Sequence, residues 1–256
     1  MRKWYFSMNE RSDAAYERLA KAAVVSCLQN TSLAPHCLYD GAANAFTQWL
    51  EQRGVALCFH RAEFLDPLFE AAQSNEAYRN MARGAFLRVE IPLVERHERF
   101  ILYTDVDVLF LADVSPFPIL PKVFACAPQF LPTDYSYFNS GVMVMNVEAM
   151  RAEYRGFIRF IRERFSTLEA FDQGALNLYF ANRWERLPTL YNWKPYWGEY
   201  SQAKIVHFHG PKPEMIEQWL RGDASELSPL IQSLLKMNPA GMAAYLKTYR
   251  TYASQT

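Results

Sequence analysis

Cysteine is scarce in this sequence, with four residues in a chain of 256. Cys27, Cys37, Cys58 and Cys126 lie in separate segments and form no C-x-x-C pair or other spacing typical of a zinc site. Such an arrangement favours a reduced environment over a disulfide framework. We therefore expect a cytoplasmic protein without a cysteine-bound zinc ion.

Long apolar runs are also absent. No stretch reaches the roughly 18 consecutive apolar residues that a membrane-spanning helix needs. The opening residues, MRKWYFSMNERSD, contain too few apolar positions for the core of a signal peptide. We expect no transmembrane segment, and peripheral contact with a membrane stays open.

Neither sign of charge is in excess, since 27 Lys and Arg balance 27 Asp and Glu. A nucleic-acid-binding domain normally carries a basic surface, so we expect no nucleic-acid partner. Half of the chain is apolar, which is enough for one large domain with a sizeable core, or one domain with a short helical appendage.

The first sixty residues alternate between strand and helix patterns. KWYFSM, HCLYD and VALCFH are typical of buried strands, and AANAFTQWLEQR is typical of a helix that ends before Gly54. Between the first two strands, apolar residues recur at helical spacing from Tyr16 to Leu28, and Ser12 or Asp13 can cap this helix. The alternation predicts parallel strands covered by helices on both faces.

The rest of the chain continues the α/β pattern. A helix is expected over NMARGAFLRVEIPLVERH, with an interruption near Pro92, and further helices over 148–165 and 173–181. Strands are expected at RFILYT, KVFACA, YFNSGVMVMNV and AKIVHFHG. The last forty residues or so have helical patterns. We expect one α/β domain over residues 1–213 and a helical C-terminal extension over residues 214–256.

Two aspartates follow the strand RFILYT. Asp105 and Asp107 lie where strand and loop meet, and alternation lets both carboxylates face one cleft while Val106 points into the core. A hard divalent cation, magnesium or manganese, would relieve their mutual repulsion. The alternative is a solvated loop with a capping aspartate.

Two further segments carry groups that suit such a site. IVHFHG places His207 and His209 on one face of a strand, where either imidazole could complete the metal site or remain a hydrogen-bonded core residue. Gly210 permits close backbone approach, and Lys212 is a point charge suited to a phosphate, or an ordinary surface lysine.

Four ordered motifs, LYTDVDVLF, YFNSGVMVMN, FDQGALNLYF and VHFHGPKP, resemble the family 8 glycosyltransferases, the group of glycogenin and the bacterial lipopolysaccharide glucosyl- and galactosyltransferases. The resemblance runs from the first strand to about Pro213. It implies a GT-A fold with a Rossmann-like mixed sheet, a UDP-sugar donor carrying glucose or galactose, a divalent metal that is usually manganese, and transfer with retention of configuration.

The same resemblance implies roles for individual residues. Those similar to the metal ligands are Asp105, Asp107 and His207. Those similar to residues that bind the donor are Asn9 for uridine, Gly210 and Lys212 for the pyrophosphate, Asn139 and Asp172 for the sugar hydroxyls, and Arg88, Ser140 and Gly141 for the donor without a more specific contact. Those at the reacting centre are Asp172, Gln173 beside the anomeric carbon, and Lys212.

Departures from the family pattern leave a second function open. Only Pro211 separates Gly210 from Lys212, where the family usually has two residues, and Glu214 replaces a tryptophan. A catalytically silent UDP-sugar sensor is therefore an alternative. A nucleotidyltransferase would need a glycine-rich, basic loop after the first strand, which FSMNERSD does not provide.

The acceptor is the least determined feature. The aromatic residues between Tyr191 and Tyr200, in the run YNWKPYWGEY, either form a wall that stacks on sugars or pack in the core. A lipopolysaccharide or capsule glycan is the expected acceptor, with a protein as the second choice. We expect attack from the face of the departing group, the alternative being a covalent adduct on Asp172.

Overall fold

The structure is a computed structural model that describes residues 1–256. Its first part alternates strands and helices, as expected. Its elements are β1 (Lys3–Asn9), α1 (Ala14–Asn30), β2 (Ala34–Asp40), α2 (Ala45–Gln52) and β3 (Ala56–Phe59). Asp13 caps α1 by accepting from the backbone N–H of Tyr16, and Asn44 forms a capping box with Thr47 on α2. These capping residues fix the position at which each helix begins.

The second part adds six strands, four helices before or between them, and three C-terminal helices. Its elements are α3 (Asp66–Ala71), α4 (Glu76–Val94), β4 (Phe100–Thr104), β5 (Val108–Phe110), β6 (Phe124–Pro128), β7 (Phe138–Asn146), α5 (Val147–Arg164), α6 (Phe171–Tyr179), β8 (Glu185–Arg186), β9 (Ile205–His207), α7 (Pro213–Leu220), α8 (Pro229–Met237) and α9 (Pro239–Ala253).

Seven strands form one mixed sheet in the order β3-β2-β1-β4-β7-β6-β8. The pairs β2–β3, β1–β2, β1–β4 and β6–β8 are parallel, whereas β7 is antiparallel to both of its neighbours. The C-terminal end of β4 therefore lies beside the start of β7, and Asp105 N–H donates to the Gly141 carbonyl at 2.8 Å. The expected fold class, a Rossmann-like mixed sheet with helices, is confirmed.

Helices cover both faces of this sheet. Trp4, Phe6 and Met8 of β1 pack with α1 and α2 in one buried cluster, whereas Tyr5 faces a second cluster that includes α4, α5 and α6. This alternation follows from the period of two along a strand. Both ends of the strands are consequently left to loops, and the carboxyl ends of β1 and β4 open into a cleft.

The prediction that a helix breaks near Pro92 is wrong. Helix α4 includes Pro92 and ends at Val94, where the Glu95 N–H still bonds to the Ile91 carbonyl. Proline removes one backbone donor, and this loss is tolerated within the last turn of a helix. The continuous helix keeps Arg88 on the buried face of α4, near the sheet.

The C-terminal extension is helical, as expected. Helices α7, α8 and α9 form a third buried cluster around Phe208, Ile216 and Leu235, and α9 packs against α1. None of the nine helices combines the length and the hydrophobicity needed to cross a bilayer.

Candidate metal and donor-sugar site

The three residues expected to bind a metal come together at the cleft. Asp105 and Asp107 lie in the turn between β4 and β5, and the pairing of β5 with β9 places Val108 opposite His207. One ligand atom from each residue lies within 4.8 Å of the others. His207 Nε2 is 3.2 Å from Asp107 Oδ1 and 4.0 Å from Asp105 Oδ2.

The oxygen atoms that face one another are those without other hydrogen bonds. Asp105 accepts from Arg88 and Tyr103 on Oδ1, at 2.7 and 3.1 Å, which leaves Oδ2 toward His207. Asp107 contacts Lys212 through Oδ2, and its buried Oδ1 has no hydrogen-bond partner. Two carboxylate oxygens and an imidazole nitrogen directed at one point suit a divalent cation.

Gly141 leaves the room that this arrangement needs. A Cβ at this position would lie 2.2 Å from His207 Cε1 and 2.8 Å from Asp105 Oδ2. Those distances are far below a normal contact, so any side chain here would displace both groups. The glycine of FNSG is therefore required by the space beside the two ligands.

Lys212 reaches the same carboxylate despite the shortened segment before it. Its ammonium contacts Asp107 Oδ2 and donates to the Phe208 carbonyl at 3.0 Å. Burial disfavours the charged form of Lys212, but Asp107 outweighs this effect and raises the lysine pKa. Burial would likewise raise the pKa of Asp107, and Lys212 instead holds it well below its ordinary value. Gly210 turns the chain with φ +77°.

Arg88 organises the side of the cleft opposite Lys212. Its Nη1 donates to the Ser140 carbonyl at 2.6 Å and its Nη2 donates to Asp105, while the guanidinium lies 4.5 Å from the centre of the Tyr103 ring. Its Nε lies 2.9 Å from Asp172 Oδ2. The single Nε hydrogen is donated to a backbone carbonyl, that of Ala85. The positive charge of Arg88 therefore lies beside Asp172, while Asp172 Oδ2 remains free to accept a hydrogen bond from another group.

Asp172 and Gln173 begin α6 after an unusual turn. Ala170 and Phe171 are left-handed, at φ +53° and +50°, and a Cβ on Gly174 would lie 1.9 Å from the Glu169 carbonyl oxygen. Left-handed backbone in residues other than glycine is often found at functional sites. Burial raises the pKa of Asp172 to about 7, although the charge of Arg88 opposes this shift.

Asn139 is occupied by protein partners. Its Nδ2 donates to Gln129 and Gln173, and its Oδ1 accepts from Asn192 and the Gly141 N–H, at 3.0 to 3.2 Å. These four bonds use both donors and both lone pairs of the amide. The expected contact between Asn139 and the donor sugar remains a prediction, and it would require one of these bonds to break.

The cleft itself has a volume of about 490 Å³, within the range of small-molecule pockets. It is lined by the carboxyl end of β1, the exposed face of α4, the Asp105–Asp107 turn and Lys212. Asn9 lies there, but its side chain accepts from Arg11 N–H and donates to the Asn80 carbonyl, both at 2.9 Å. An exposed aromatic ring, Tyr16, also lines the cleft.

Tyr16 and Asn192 were not among the expected site residues. The helical spacing assigned Tyr16 to the buried face of α1, whereas it lies at the first exposed turn beside the cleft. Asn192 is fully buried behind His207. The sequence signal that could have identified Asn192 is a polar residue between the two aromatic residues of YNW.

His209 does not share the expected metal position. Strand β9 ends at His207, so the alternation stops, and His209 Nδ1 lies 2.8 Å from the Tyr196 hydroxyl. Burial, followed by the charge of His207, lowers the pKa of His209 well below its ordinary value. The nearby aromatic run is mainly core, since Tyr191 and Tyr196 are buried and Trp193 packs on Trp197 and Tyr200.

The sheet order and the cleft at its carboxyl edge define a glycosyltransferase fold of the GT-A type. The structure superposes on the galactosyltransferase LgtC, solved with donor and acceptor sugar analogues, with a TM-score of 0.64 and 17% identity over 91% of this chain and 94% of LgtC. It also resembles GlyE from Streptococcus pneumoniae TIGR4, with a TM-score of 0.64 and 17% identity, over 98% of this chain and 63% of GlyE.

The family model for glycosyl transferase family 8 matches residues 10–213, and the chain belongs to this family. Glycogenin from Neurospora crassa is 28% identical over an alignment of 170 residues, and the match covers 54% of this chain and 24% of glycogenin. Glycosyltransferase GlyB from Streptococcus pneumoniae serotype 4 is 27% identical over an alignment of 158 residues, and the match covers 53% of this chain and 39% of GlyB. The chain thus spans less than half of either curated relative.

Proposed function

We propose that this chain transfers a hexose, glucose or galactose, from a UDP-sugar to a hydroxyl of a glycan, with a divalent cation and with retention of configuration. The convergence of Asp105, Asp107 and His207 on one point of the cleft carries this proposal. Membership of glycosyl transferase family 8 supports it independently.

The leaving group of such a transfer is a diphosphate, whose negative charge grows as the sugar departs. A divalent cation held by the two carboxylates and His207 would neutralise part of that charge, which is worth several kcal/mol. Lys212 contacts Asp107 and adds a positive charge beside the same point. Its contribution would be about 1.5 to 3 kcal/mol, as for other hydrogen bonds to charged groups.

The nucleoside would lie at the carboxyl end of β1. Tyr16 offers a flat ring on which a uracil base can stack. Asn9 shapes the turn there, because it bonds to the Arg11 N–H and ties β1 to α4 through Asn80. We therefore assign Asn9 mainly to holding the nucleoside pocket open and Tyr16 to contacting the base.

The donor sugar would lie between the cation ligands and the start of α6. Asp172 is buried and keeps Oδ2 free of hydrogen bonds, so it can bind a sugar hydroxyl. Its raised pKa of about 7 lets the carboxyl group accept or donate. Arg88 contacts both Asp105 and Asp172, so it keeps the cation ligand and the sugar-binding carboxylate at a constant separation.

Retention is best explained by attack from the side of the departing diphosphate. The Oε1 atom of Gln173 accepts from the Ser140 N–H at 2.9 Å and from Asn139 at 3.1 Å, so it is not available as a nucleophile. Asp172 is ion-paired with Arg88, which weakens a carboxylate as a nucleophile. We propose that a phosphate oxygen of the leaving group accepts the proton of the acceptor hydroxyl.

A lipopolysaccharide or capsule glycan is the proposed acceptor, and a protein hydroxyl is the second choice. We further propose a cytoplasmic site of action, since all four cysteines are free thiols.

Incubation with a panel of UDP-sugars, with and without Mn²⁺, tests the proposal. We expect one donor, UDP-glucose or UDP-galactose, to be hydrolysed slowly to UDP in the presence of Mn²⁺ and not after its removal by chelation. Anomeric analysis of a transferred product should show the configuration of the donor. Hydrolysis that is indifferent to metal would contradict the role of the two aspartates.

Tight UDP-sugar binding without turnover, with any glycan acceptor tested, would favour the silent sensor instead. The contact of Lys212 with Asp107 across the shortened segment favours the transferase over the sensor.

A further inference from the structure

We infer that Asn192 is a positioning residue that fixes the tautomer of His207, so that Nε2 presents its lone pair to the cation, and that it links this ligand to the start of α6. The inference rests on the proposed function, since it concerns the same cation. Asn192 has no exposed surface and contacts neither cleft nor solvent. Its side chain lies between His207 and Asn139.

Two backbone N–H groups determine the direction of every hydrogen bond in this chain of contacts. The Ser140 N–H can only donate, so the Gln173 atom 2.9 Å away must be Oε1. The Asn139 atom that bonds to this oxygen at 3.1 Å is therefore Nδ2. Independently, the Gly141 N–H lies 3.2 Å from the other amide atom of Asn139, which must be Oδ1. The two assignments agree.

The same logic continues to the imidazole. Asn139 Oδ1 can only accept, so the Asn192 atom 3.0 Å from it is Nδ2. Asn192 Oδ1 then faces His207 Nδ1 at 3.0 Å, and this contact requires a hydrogen on Nδ1. A neutral imidazole with a hydrogen on Nδ1 has its lone pair on Nε2. That nitrogen is the one that faces Asp105 and Asp107.

This arrangement also explains an unpartnered oxygen. With its lone pair on Nε2, His207 offers no hydrogen to Asp107 Oδ1, although the two atoms are 3.2 Å apart. Asp107 Oδ1 indeed has no hydrogen-bond partner, and it is buried. Two lone pairs that face each other at this distance repel, and a divalent cation bound between them would relieve the repulsion. Partners that orient a ligating histidine in this way typically change metal affinity by 10- to 100-fold when removed, roughly.

Backbone pairing explains why Asn192 lies behind His207. Trp193 N–H donates to the Ile205 carbonyl at 2.9 Å, and His207 N–H donates to the Trp193 carbonyl at 2.8 Å. The residues after the 3₁₀ turn Thr189–Tyr191 thus run beside β9. The Asn192 amide accepts from His207 and donates to Asn139 at once, which neither an ionised aspartate nor a leucine can do.

The test uses ¹⁵N-histidine-labelled protein and long-range ¹H–¹⁵N spectra at about pH 8.5, about two units above the ordinary imidazole pKa. We expect His207 of the wild type to carry its hydrogen on Nδ1. Asn192→Leu removes the acceptor and excludes water, and we expect it to shift the ring toward the Nε2–H form. Asn192→Asp keeps an acceptor oxygen and should keep the wild-type tautomer.

Calorimetric titration with Mn²⁺, without any sugar nucleotide, provides the second readout. Asn192→Leu should weaken binding by about 10- to 100-fold, whereas Asn192→Asp should stay within about 3-fold of the wild type. Asn146→Ala is the matched control: it removes another buried asparagine, which bonds to the Pro121 and Lys122 carbonyls at the far end of β7. It should change neither readout.

A neutral wild-type His207 without a hydrogen on Nδ1 would overturn the inference, and so would an Asn192→Leu protein with the wild-type tautomer and affinity. If Asn192→Leu does not fold, loss of Mn²⁺ binding in Asn192→Asp would be the refuting result. A wild type that binds no Mn²⁺ would refute the proposed function, and the tautomer measurement would still decide this inference.

Discussion

Replacing Gly141 by alanine is the smallest change that should disable the proposed cation site. The added Cβ would lie 2.2 Å from His207 Cε1, whereas carbon atoms pack at about 3.5 Å or more. The ring would therefore have to move by about 1.3 Å. His207 is buried and bonded to Asn192, which resists movement of its ring. The added Cβ cannot shift away from the ring either, because Asp105 and Asn139 are its other neighbours.

A movement of that size exceeds what metal coordination tolerates, since ligand distances must hold within about 0.2 Å. We expect Gly141→Ala to weaken Mn²⁺ binding by more than about 10-fold and to lower transferase activity by about 100-fold or more. The cost in folding free energy should be about 1 to 3 kcal/mol, as for other overpacked sites. Gly141 is not in the left-handed region, so the effect would come from the Cβ alone.

Calorimetric Mn²⁺ titration and a UDP-release assay measure both effects, with thermal unfolding as the check on folding. Gly156→Ala is the matched control, because its Cβ would lie 2.5 Å from the Tyr179 hydroxyl, the movable tip of a side chain far from the cleft. We expect wild-type activity from it. A folded Gly141→Ala protein with wild-type affinity and turnover would refute the assignment of His207 and Asp105 as ligands.

Three further outcomes are expected. Asp107→Ala should remove most transferase activity, whereas Lys212→Ala should lower the activity by about 10- to 100-fold, at about 1.4 kcal/mol for each factor of ten. Equal, small losses of activity in the two variants would contradict the proposed cation site. Glu95→Gln should destabilise the fold by about 2 kcal/mol at about pH 7. Burial favours the neutral form of Glu95, but the hydrogen bonds from Lys3 and Tyr5, at 2.8 and 2.6 Å, outweigh burial. They lower the pKa of Glu95 from 4.5 to about 2. Because the folded-state pKa is depressed, this stabilisation is present above about pH 4.5 and is lost as the pH falls toward 2, so chemical denaturation of the two proteins should converge in acid.

The alternating half of the fold follows directly from the sequence. Strands β1, β2 and β3 are short apolar runs between capped helices, and each signal is local, so the parallel arrangement could be predicted. The mixed character of the sheet came instead from the family resemblance. Nothing local shows that β7 runs antiparallel to β4 and β6.

The small ribbon of β5 and β9 could not be predicted. A strand is expected at AKIVHFHG, which contains β9, but β5 has only three residues, too few for a periodic signal, and about a hundred residues separate the two strands. This pairing is nevertheless what carries His207 to the two aspartates. His209 follows the end of this strand, and its ring packs against that of His207 with centroids 5.6 Å apart, while its Nδ1 lies 2.8 Å from the Tyr196 hydroxyl.

The motifs identified which residues meet at the cleft, but not what each side chain bonds to. Asn139, Gln173 and Asn192 form one hydrogen-bonded chain from three distant segments, so their partners depend on tertiary structure alone. Arg88 likewise bridges Asp105 and Asp172, a relation that spacing along the chain does not contain.

Electron spin-echo spectroscopy of Mn²⁺ bound to the chain labelled with ¹⁵N-histidine tests the shared cation site most directly. We predict one bound ion per chain with nitrogen coupling from a single imidazole, lost in His207→Gln, and no tight binding in Asp107→Ala. A bound ion without nitrogen coupling, or one whose spectrum is the same in all three proteins, would contradict the account.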